Sequence, residues 1–268
     1  SMIRSSFSPS LIWKMYFTII FLATAAGSAL VFAFRGLSEK LNTLFLGFAS
    51  GVMVAASVWS LLIPAIEGSS SDWGALSFVP AVVGFIAGGA FLVAIDKLVP
   101  HIHGATQEEE GLHSALKRPA KLFLAVTIHN IPEGLAVGLA FGGAAASGEY
   151  AAFVAALGLA IGMAVQNFPE GAAVSLPMKN AVGSRTKAFL YGAASGAVEP
   201  VFALLGYFLA ANLSAAQPWF LSFAAGAMIF VVAEDLIPAA NVSSHPHLGT
   251  WGVMVGFAIM MSLDVALG

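Results

Sequence analysis

The sequence contains no cysteine among its 268 residues, and only 9% of these residues are charged. The absence of cysteine excludes disulfide bonds, thiol catalysis and thiolate metal sites. A soluble globular domain is about 25% charged, so a chain with this little charge cannot cover a water-exposed surface. With a net charge of −3, the chain also lacks the basic field of a nucleic-acid-binding protein. An ordinary soluble enzyme, a disordered chain and a nucleic-acid partner are therefore excluded.

Apolar residues are in excess: they make up 59% of the chain and give a mean hydropathy of +0.88. A membrane-spanning helix needs roughly 20 predominantly apolar residues, and eight segments meet this requirement. The sequence therefore predicts an all-α integral membrane protein, embedded in a lipid bilayer, with one transmembrane domain over residues 1–268. Such long segments are not typical of a β-barrel, whose strands alternate apolar and polar residues. The predicted spans are residues 11–34, 41–65, 76–99, 121–143, 150–176, 188–211, 219–239 and 249–267.

Basic residues are divided unequally between the two ends of these spans. Eight spans place both termini on one side, where Arg4 and Lys14 are the basic residues. The opposite side carries Arg35, Lys40, Lys97, Lys117, Arg118, Lys121, Lys179, Arg185 and Lys187. Because cytosolic loops are enriched in Lys and Arg, we predict a plasma (inner) membrane protein with both termini outside the cytosol. The cytosolic loop 100–120, rich in His and Glu, is then either a solvated linker or a segment that receives released metal.

Two nearly identical polar motifs lie inside the fourth and fifth spans. The first runs from His129 to Gly134 and reads HNIPEG, and the second runs from Gln166 to Gly171 and reads QNFPEG. Four of the six positions are identical, at a constant offset of 37 residues. Because consecutive spans run in opposite directions, a pseudo-twofold axis in the membrane plane relates the two motifs. Such an inverted repeat is typical of transporters with a binding site near the bilayer midplane.

The spacing within each motif brings potential ligands together. His129 and Glu133 are four residues apart and share one helix face, as do Gln166 and Glu170. Two intramembrane carboxylates are costly unless they are protonated or paired, and no Lys or Arg lies beside them in these spans. A divalent cation would neutralise them, and imidazole, carboxylate and amide oxygen suit Zn²⁺. The alternative is that the two carboxyl groups are protonated and hydrogen-bonded to neighbouring polar side chains.

The paired motifs resemble those of the ZIP (Zrt/Irt-like) family of divalent metal transporters, and of its GufA-like branch in particular. The resemblance extends along the chain through Gly47–Ser60, Glu199-Pro200, Phe230–Pro238 and Ser262–Asp264. It implies eight spans in a 3+2+3 arrangement with an inverted repeat. It also implies metal import toward the cytosol by a sliding movement of one helix bundle against another, and a homodimer.

The resemblance further implies a metal site between the fourth and fifth spans. By matching position, the implied ligands of one ion are Met53, His129, Glu133, Gln166 and Glu170. The implied ligands of the second ion of a binuclear site are Asn130, Asn167 and Glu199, and Glu133 and Glu170 bridge the two ions. The metal is a transported substrate and not a catalytic cofactor. Zinc is the first expectation, and cadmium, manganese, iron and copper are left open.

Two other functions are compatible with the motifs. An intramembrane metal-dependent hydrolase needs an open metal position and a general base, but the sequence has no H-E-x-x-H motif, and His129 is the one histidine inside the predicted spans. A proton or anion transporter suits isolated carboxylates and would work without metal. We therefore predict a transporter and not an enzyme. Four more acidic residues are candidates either for the ion path or for local bonds, namely Asp96, Glu234, Asp235 and Asp264.

Overall fold

The computed structural model describes residues 9–102 and 109–267. Its α-helices are Pro9–Ala33, Glu39–Ala56, Ile63–Gly68, Ser70–Trp73, Phe78–Leu98, Arg118–Ser147, Tyr150–Val182, Arg185–Gly196, Val198–Asn212, Gln217–Val231, Ile237–Asn241 and Pro246–Leu267. Short 3₁₀ helices cover Gly74–Leu76 and Ser214–Ala216, π-helical segments cover Ser57–Leu62 and Val232–Leu236, and strands β1 and β2 are His101–Ile102 and Glu109–Glu110.

Eight helical stretches are long and apolar enough to cross a membrane, and we number them one to eight in chain order. They are Met15–Ala33, Glu39–Gly68, Phe78–Leu98, Arg118–Ser147, Tyr150–Val182, Arg185–Asn212, Ser214–Asn241 and Pro246–Leu267. The predicted class, an all-α membrane protein with eight spans, is confirmed. The end of the molecule that carries the basic residues between spans is called the basic end below.

Spans four and five, which carry the motifs, are the longest uninterrupted α-helices in the described residues, with 30 and 33 residues. Both run unbroken through the prolines of their motifs, Pro132 and Pro169. Each helix ends at a glycine with positive φ, Gly148 at 67° and Gly183 at 66°. Glycine adopts this left-handed conformation without the steric cost that a Cβ atom brings. Each motif therefore lies well inside a regular helix, far from either end.

The spans pack as two bundles of four helices. Span one packs mainly against span five and span four against span six, while span two packs against span eight and span three against span seven. Spans four and five also contact each other, so spans one, four, five and six form the motif bundle, and spans two, three, seven and eight form the second bundle. The four packing pairs stay the same when each span is exchanged with its counterpart in the other half of the chain. The counterparts are one and six, two and seven, three and eight, and four and five. The packing therefore has the symmetry of the predicted inverted repeat.

Glycines allow two backbones to touch inside each bundle. A Cβ atom added at Gly138 of span four would lie 2.0 Å from the carbonyl oxygen of Ala203 in span six. In the second bundle, a Cβ atom at Gly51 of span two would lie 2.1 Å from the carbonyl oxygen of Val253 in span eight. Close backbone approach through small residues is how helices associate without a hydrophobic driving force.

Spans two and seven each contain a π-helical segment just before a proline. Ser57–Leu62 precedes Pro64, and Val232–Leu236 precedes Pro238. Proline has no N–H, and its ring clashes with the carbonyl group four residues earlier, so the helical hydrogen-bond ladder widens there. π-Helical turns occur frequently at functional sites, and the segment in span seven carries Asp235.

A short hairpin folds over the basic end of span four. Strand β1 pairs with β2 in an antiparallel manner, and Ile102 of β1 is 4% exposed. Lys121 Nζ of span four lies 2.6 Å from Glu109 Oε2 of β2. The described part of the predicted loop 100–120 is therefore held against a helix, while residues 103–108 lie outside the described residues.

Candidate metal-binding site

The two motifs meet in the middle of the motif bundle. Gln166 Nε2 of span five donates to Glu133 Oε2 of span four at 2.5 Å, and it also donates to Asn167 Oδ1 at 2.5 Å. Glu133 is 2% exposed and Gln166 is 0% exposed. The structure thus brings the Glu of one motif and the Gln of the other into direct contact away from water.

Five buried side-chain oxygens have no hydrogen-bond partner in the described part of the chain: Asn130 Oδ1, Gln166 Oε1, Glu170 Oε2, Ser175 Oγ and Asp264 Oδ2. The first three belong to the two motifs. Leaving a buried polar atom unsatisfied costs about 1–3 kcal/mol, so such atoms in a native protein have a partner of some kind. Oxygen lone pairs of amides and carboxylates are suitable ligands for a divalent cation.

His129 lies at the edge of this group of oxygens. Its Nε2 atom is 2.8 Å from Asp235 Oδ2, in the π-helical segment of span seven. The side chains of His129 and Asp235 are 15% and 14% exposed. Because Nε2 is engaged with Asp235, the imidazole must either turn or use Nδ1 to bind an ion beside Glu170.

The acidic residues and the histidine do not by themselves form a finished metal site. Within residues 9–102 and 109–267, no group of three or more His, Asp or Glu side chains could hold a metal ion. His129, Glu133 and Glu170 therefore do not converge on one point in this conformation. A complete ligand set needs the amide oxygen of Gln166 and either a rotation of His129 or the use of its Nδ1 atom.

The residues implied for a second ion are joined by hydrogen bonds. Asn167 Nδ2 donates to Glu199 Oε2 at 2.5 Å and to the Ile20 carbonyl oxygen at 3.2 Å. Thr24 Oγ1 donates to Glu199 Oε1 at 3.0 Å. Asn130 Nδ2 donates instead to a carbonyl oxygen of span six, at 3.1 Å. Asn167 and Glu199 are therefore in contact, and Asn130 is anchored separately.

Thr24 is a site residue that the sequence analysis missed. It belongs to span one, which carries no part of either motif, and it is 1% exposed. The available signal is a short stripe of small and polar residues, Thr24, Gly27 and Ser28, within an otherwise apolar span. Gly27 packs against the backbone of Phe168, so this part of span one lies against the helix that carries the second motif.

Met53 lies in the second bundle and is 0% exposed. It belongs to the apolar cluster that also contains Ile128 of span four and Met163 of span five. Met53 therefore shares an apolar cluster with residues of the motif helices. One of these residues, Ile128, directly precedes His129 in the chain. Its role as a ligand stays a prediction.

The remaining acidic candidates have local partners. Ser60 Oγ donates to Asp264 Oδ1 at 2.6 Å, and Asp96 Oδ1 lies 3.6 Å from His101 Nε2. Glu234, next to the Asp235 that contacts His129, is exposed. Asp96 and Asp264 therefore fit the alternative in which these acidic residues form bonds to nearby side chains. Asp235 instead lies beside the first motif, in contact with His129.

A cavity of about 600 Å³ leads from the motifs to the basic end. His129, Glu170 and Asp235 line it at the depth of the motifs, and Asn42 and Arg118 line it at the basic end. The unpartnered oxygen of Glu170 is therefore beside a space that an ion can enter.

The opposite side of the motifs is closed by packed apolar side chains. Ala136, Val137 and Leu139, which follow the first motif, are 0% exposed. Beyond them Phe141 stacks on Tyr16, with ring centroids 5.3 Å apart. The described cavity thus reaches the site from the basic end.

Comparison with known proteins identifies the family. Residues 106–264 match the family described as "ZIP Zinc transporter". The chain belongs to the ZIP family. Zinc transporter ZIP11 of Homo sapiens is 38% identical to this ZIP chain over 91% of it and 94% of the human protein. Zinc transporter GufA of Myxococcus xanthus is 37% identical, over 92% of this chain and 95% of that protein.

A third relative is zinc transporter ZIPB of Bordetella bronchiseptica, 37% identical over 92% of this chain and 79% of that protein. The resemblance inferred from the paired motifs is therefore confirmed. The segment that matches the ZIP family contains both motifs and Glu199, while Met53 lies before it.

Proposed function

We propose that this chain imports divalent metal ions, first of all zinc, through the site between spans four and five. The observation that carries the proposal is the pair of unpartnered buried oxygens, Gln166 Oε1 and Glu170 Oε2, together with the cavity that Glu170 and His129 line. Relatives that match more than nine tenths of the chain are named zinc transporters, which supports zinc as the substrate.

The first-ion ligands have the chemistry that zinc requires. His129 offers an imidazole nitrogen, Gln166 an amide oxygen, and Glu133 and Glu170 carboxylate oxygens, while Met53 adds a thioether. Zinc binds nitrogen and carboxylate ligands readily. An unpaired charge inside the bilayer costs several kcal/mol, so the two carboxylates and the dication stabilise one another there.

The direction of transport follows from the position of the basic end. Nine of the eleven Lys and Arg residues lie there, and loops rich in these residues face the cytosol. We therefore place the protein in the plasma (inner) membrane with both termini outside the cytosol. The cavity then opens to the cytosol, and the conformation described here is the one that releases the ion.

Release involves the contact between His129 and Asp235. The two residues belong to different bundles, and an imidazole that binds an ion through Nε2 cannot bind Asp235 at the same time. When the ion leaves toward the cavity, Asp235 takes its place beside His129. Loading from the outside requires the motif bundle to shift against the second bundle, as in transporters with inverted repeats.

Membership of a transporter family points to transport rather than to hydrolysis. The intramembrane hydrolase and the metal-independent proton or anion transporter are therefore not pursued as functions of this chain. Transport of cadmium, manganese, iron or copper stays a prediction, as does the homodimer.

The proposed function is tested by zinc uptake into proteoliposomes. His129→Ala and Glu133→Ala should each abolish uptake, because each removes a ligand that faces the ion. Glu149→Ala and His247→Ala are matched controls, since both residues are exposed and lie outside the spans or at their ends, and they should leave uptake unchanged. Normal uptake by both site variants would contradict the proposal.

A further inference from the structure

The two halves of the implied binuclear site differ in which atoms are free. Around the first ion position, Gln166 Oε1 and Glu170 Oε2 have no hydrogen-bond partner in the described chain. Around the second, both oxygens of Glu199 accept a hydrogen bond, from Thr24 and from Asn167. Asn130 Oδ1 is also unpartnered on the second side, but the one carboxylate that belongs to the second position alone, Glu199, is occupied by hydrogen bonds.

Both polar atoms of the Asn167 amide also have hydrogen-bond partners. Its Nδ2 atom donates to Glu199 and to the Ile20 carbonyl oxygen, and its Oδ1 atom accepts from Gln166 Nε2. Asn167 and Glu199 are both 0% exposed. An ion at the second position would have to displace hydrogen bonds from both residues, in a place that water does not reach.

These bonds form one continuous chain from span one to the transport site. Thr24 donates to Glu199, Asn167 donates to Glu199, and Gln166 donates to Asn167 and to Glu133. Because both hydrogens of the Gln166 amide are used, its nitrogen is fixed in place and its Oε1 atom is left for the ion. The orientation of a ligand is thus set by residues that do not touch the ion.

The charges lead to the same result. Glu133, Glu170 and Glu199 carry at most three negative charges, whereas two zinc ions carry four positive charges. A binuclear site would therefore leave a net positive charge buried in the membrane, which is costly. The amide at Asn167 supplies a hydrogen-bond donor to Glu199 where a second cation would otherwise stand.

We propose that Thr24, Glu199 and Asn167 form a hydrogen-bonded positioning chain that orients Gln166 and restricts the transport site to a single ion. The inference rests on the proposed function of metal transport through this site. Glu199 is then a positioning residue and not a ligand, and Thr24 of span one becomes part of the machinery that sets affinity for the substrate.

The number of ions is tested by equilibrium dialysis of the purified full chain against zinc, followed by metal analysis. The wild type is expected to bind one zinc ion per chain. Asn167→Asp replaces the amide donor by a carboxylate and balances the charge of two ions, so it is expected to bind two. A wild type that binds two ions, or an Asn167→Asp variant that is folded and still binds one, would overturn the inference.

The role of Thr24 is tested by uptake kinetics. Thr24→Val keeps the shape of the side chain and removes the hydroxyl, so Gln166 loses its fixed orientation. We expect KM for zinc to rise roughly tenfold, the lower range for losing a residue that orients a metal ligand, with little change in maximal rate. Thr24→Ser restores the hydroxyl and should restore KM, which a purely structural defect would not do.

Ser28→Ala is the matched control for Thr24. Ser28 lies one turn further along the same helix, is 0% exposed, and donates to the Gly171 carbonyl oxygen rather than to a carboxylate. It should leave both KM and the zinc stoichiometry unchanged. An equal rise of KM in Thr24→Ser and Thr24→Val would overturn the positioning role, whereas a wild type that binds no zinc would contradict the proposed function together with the inference.

Discussion

Inside each bundle, helices touch through their backbones, whereas between the bundles they touch through side chains. A Cβ atom at Gly138 would lie 2.0 Å from a backbone oxygen of the neighbouring span in the same bundle. A Cβ atom at Gly162 of span five would lie 2.1 Å from Sδ of Met260 in span eight, across the two bundles. A backbone cannot give way, but the end of a methionine side chain can. The contacts within each bundle can therefore yield less than the contacts between the bundles, as the proposed movement of one bundle against the other requires.

The largest effect is expected from locking the two bundles together. A Cβ atom at Gly158 of span five would lie 3.5 Å from Cβ of Leu267 in span eight, which is within the range of a disulfide. Since the natural chain has no cysteine, the double variant Gly158→Cys, Leu267→Cys contains a single pair of thiols. Oxidation should abolish zinc uptake in proteoliposomes, and a reductant should restore it.

A cross-link inside one bundle is the control for this experiment. A Cβ atom at Gly249 of span eight would lie 3.1 Å from Cβ of Ala240 in span seven, and both belong to the second bundle. This distance is slightly shorter than in an ordinary disulfide, so the two ends must move apart a little for the bond to form. The oxidised double variant Gly249→Cys, Ala240→Cys should transport zinc as well as its reduced form. Wild-type uptake by the oxidised 158–267 pair would show that the bundles do not move against each other.

A smaller effect, on stability, separates the two kinds of glycine. Gly138→Ala forces a methyl group against the backbone of Ala203, so overpacking should lower the free energy of unfolding by about 1–3 kcal/mol. Gly162→Ala meets a flexible side chain and should lower it much less. Thermal unfolding of both variants in the same detergent measures the difference. Equal losses in the two variants would mean that the contacts between bundles are as rigid as those within them.

The smallest effect is expected at the β1–β2 hairpin. This hairpin comes after span three of the second bundle and lies against span four of the motif bundle. The hydrogen bond from Lys121 and its positive charge lower the pKa of Glu109 from its ordinary value. The ion pair is therefore complete above the ordinary pKa of Glu and is lost as pH falls through the lowered value. The protection factors of the amides at residues 101–102 and 109–110, in which the intrinsic pH dependence of hydrogen exchange is divided out, should fall at low pH.

Lys121→Ala should produce the same fall in protection factors at neutral pH, because it removes the partner of Glu109. Zinc uptake should change little, since the pair lies outside the motifs and its Glu109 partner is exposed, and ion pairs open to solvent contribute weakly to stability. Protection factors that depend neither on pH nor on Lys121 would show that the strand pairing alone holds the hairpin.

The spans and the motifs could be predicted from the sequence because each depends on local chemistry. A bilayer fixes the length and composition of a spanning helix, and two intramembrane Glu residues, Glu133 and Glu170, stand out in any apolar segment. Spans three and eight share a spacing that did not enter the prediction: Asp96 is twelve positions after Gly84, and Asp264 is twelve positions after Gly252. Its structural meaning depends on which helices pack against each other, and the sequence does not show this packing.

Contacts between distant spans could not be predicted. Asp235 has the same chemistry as Asp96 or Asp264, yet the π-helical segment of span seven places it 2.8 Å from His129. Thr24 looks like an ordinary polar residue of an apolar span until the packing of spans one, five and six brings it to Glu199. Both cases depend on how helices rotate and approach each other.

The sequence by itself determined that this chain is a membrane protein and how many times it crosses the bilayer. It also determined that two facing motifs carry side chains of the kinds that bind metal ions. Those properties follow from hydrophobicity and from the cost of charge in hydrocarbon, which act on each segment separately. The tertiary structure alone decided which oxygens are occupied by hydrogen bonds and which are free. A hydrogen bond needs two groups within about 3 Å, and only the packed bundle brings Thr24, Glu199, Asn167 and Gln166 that close.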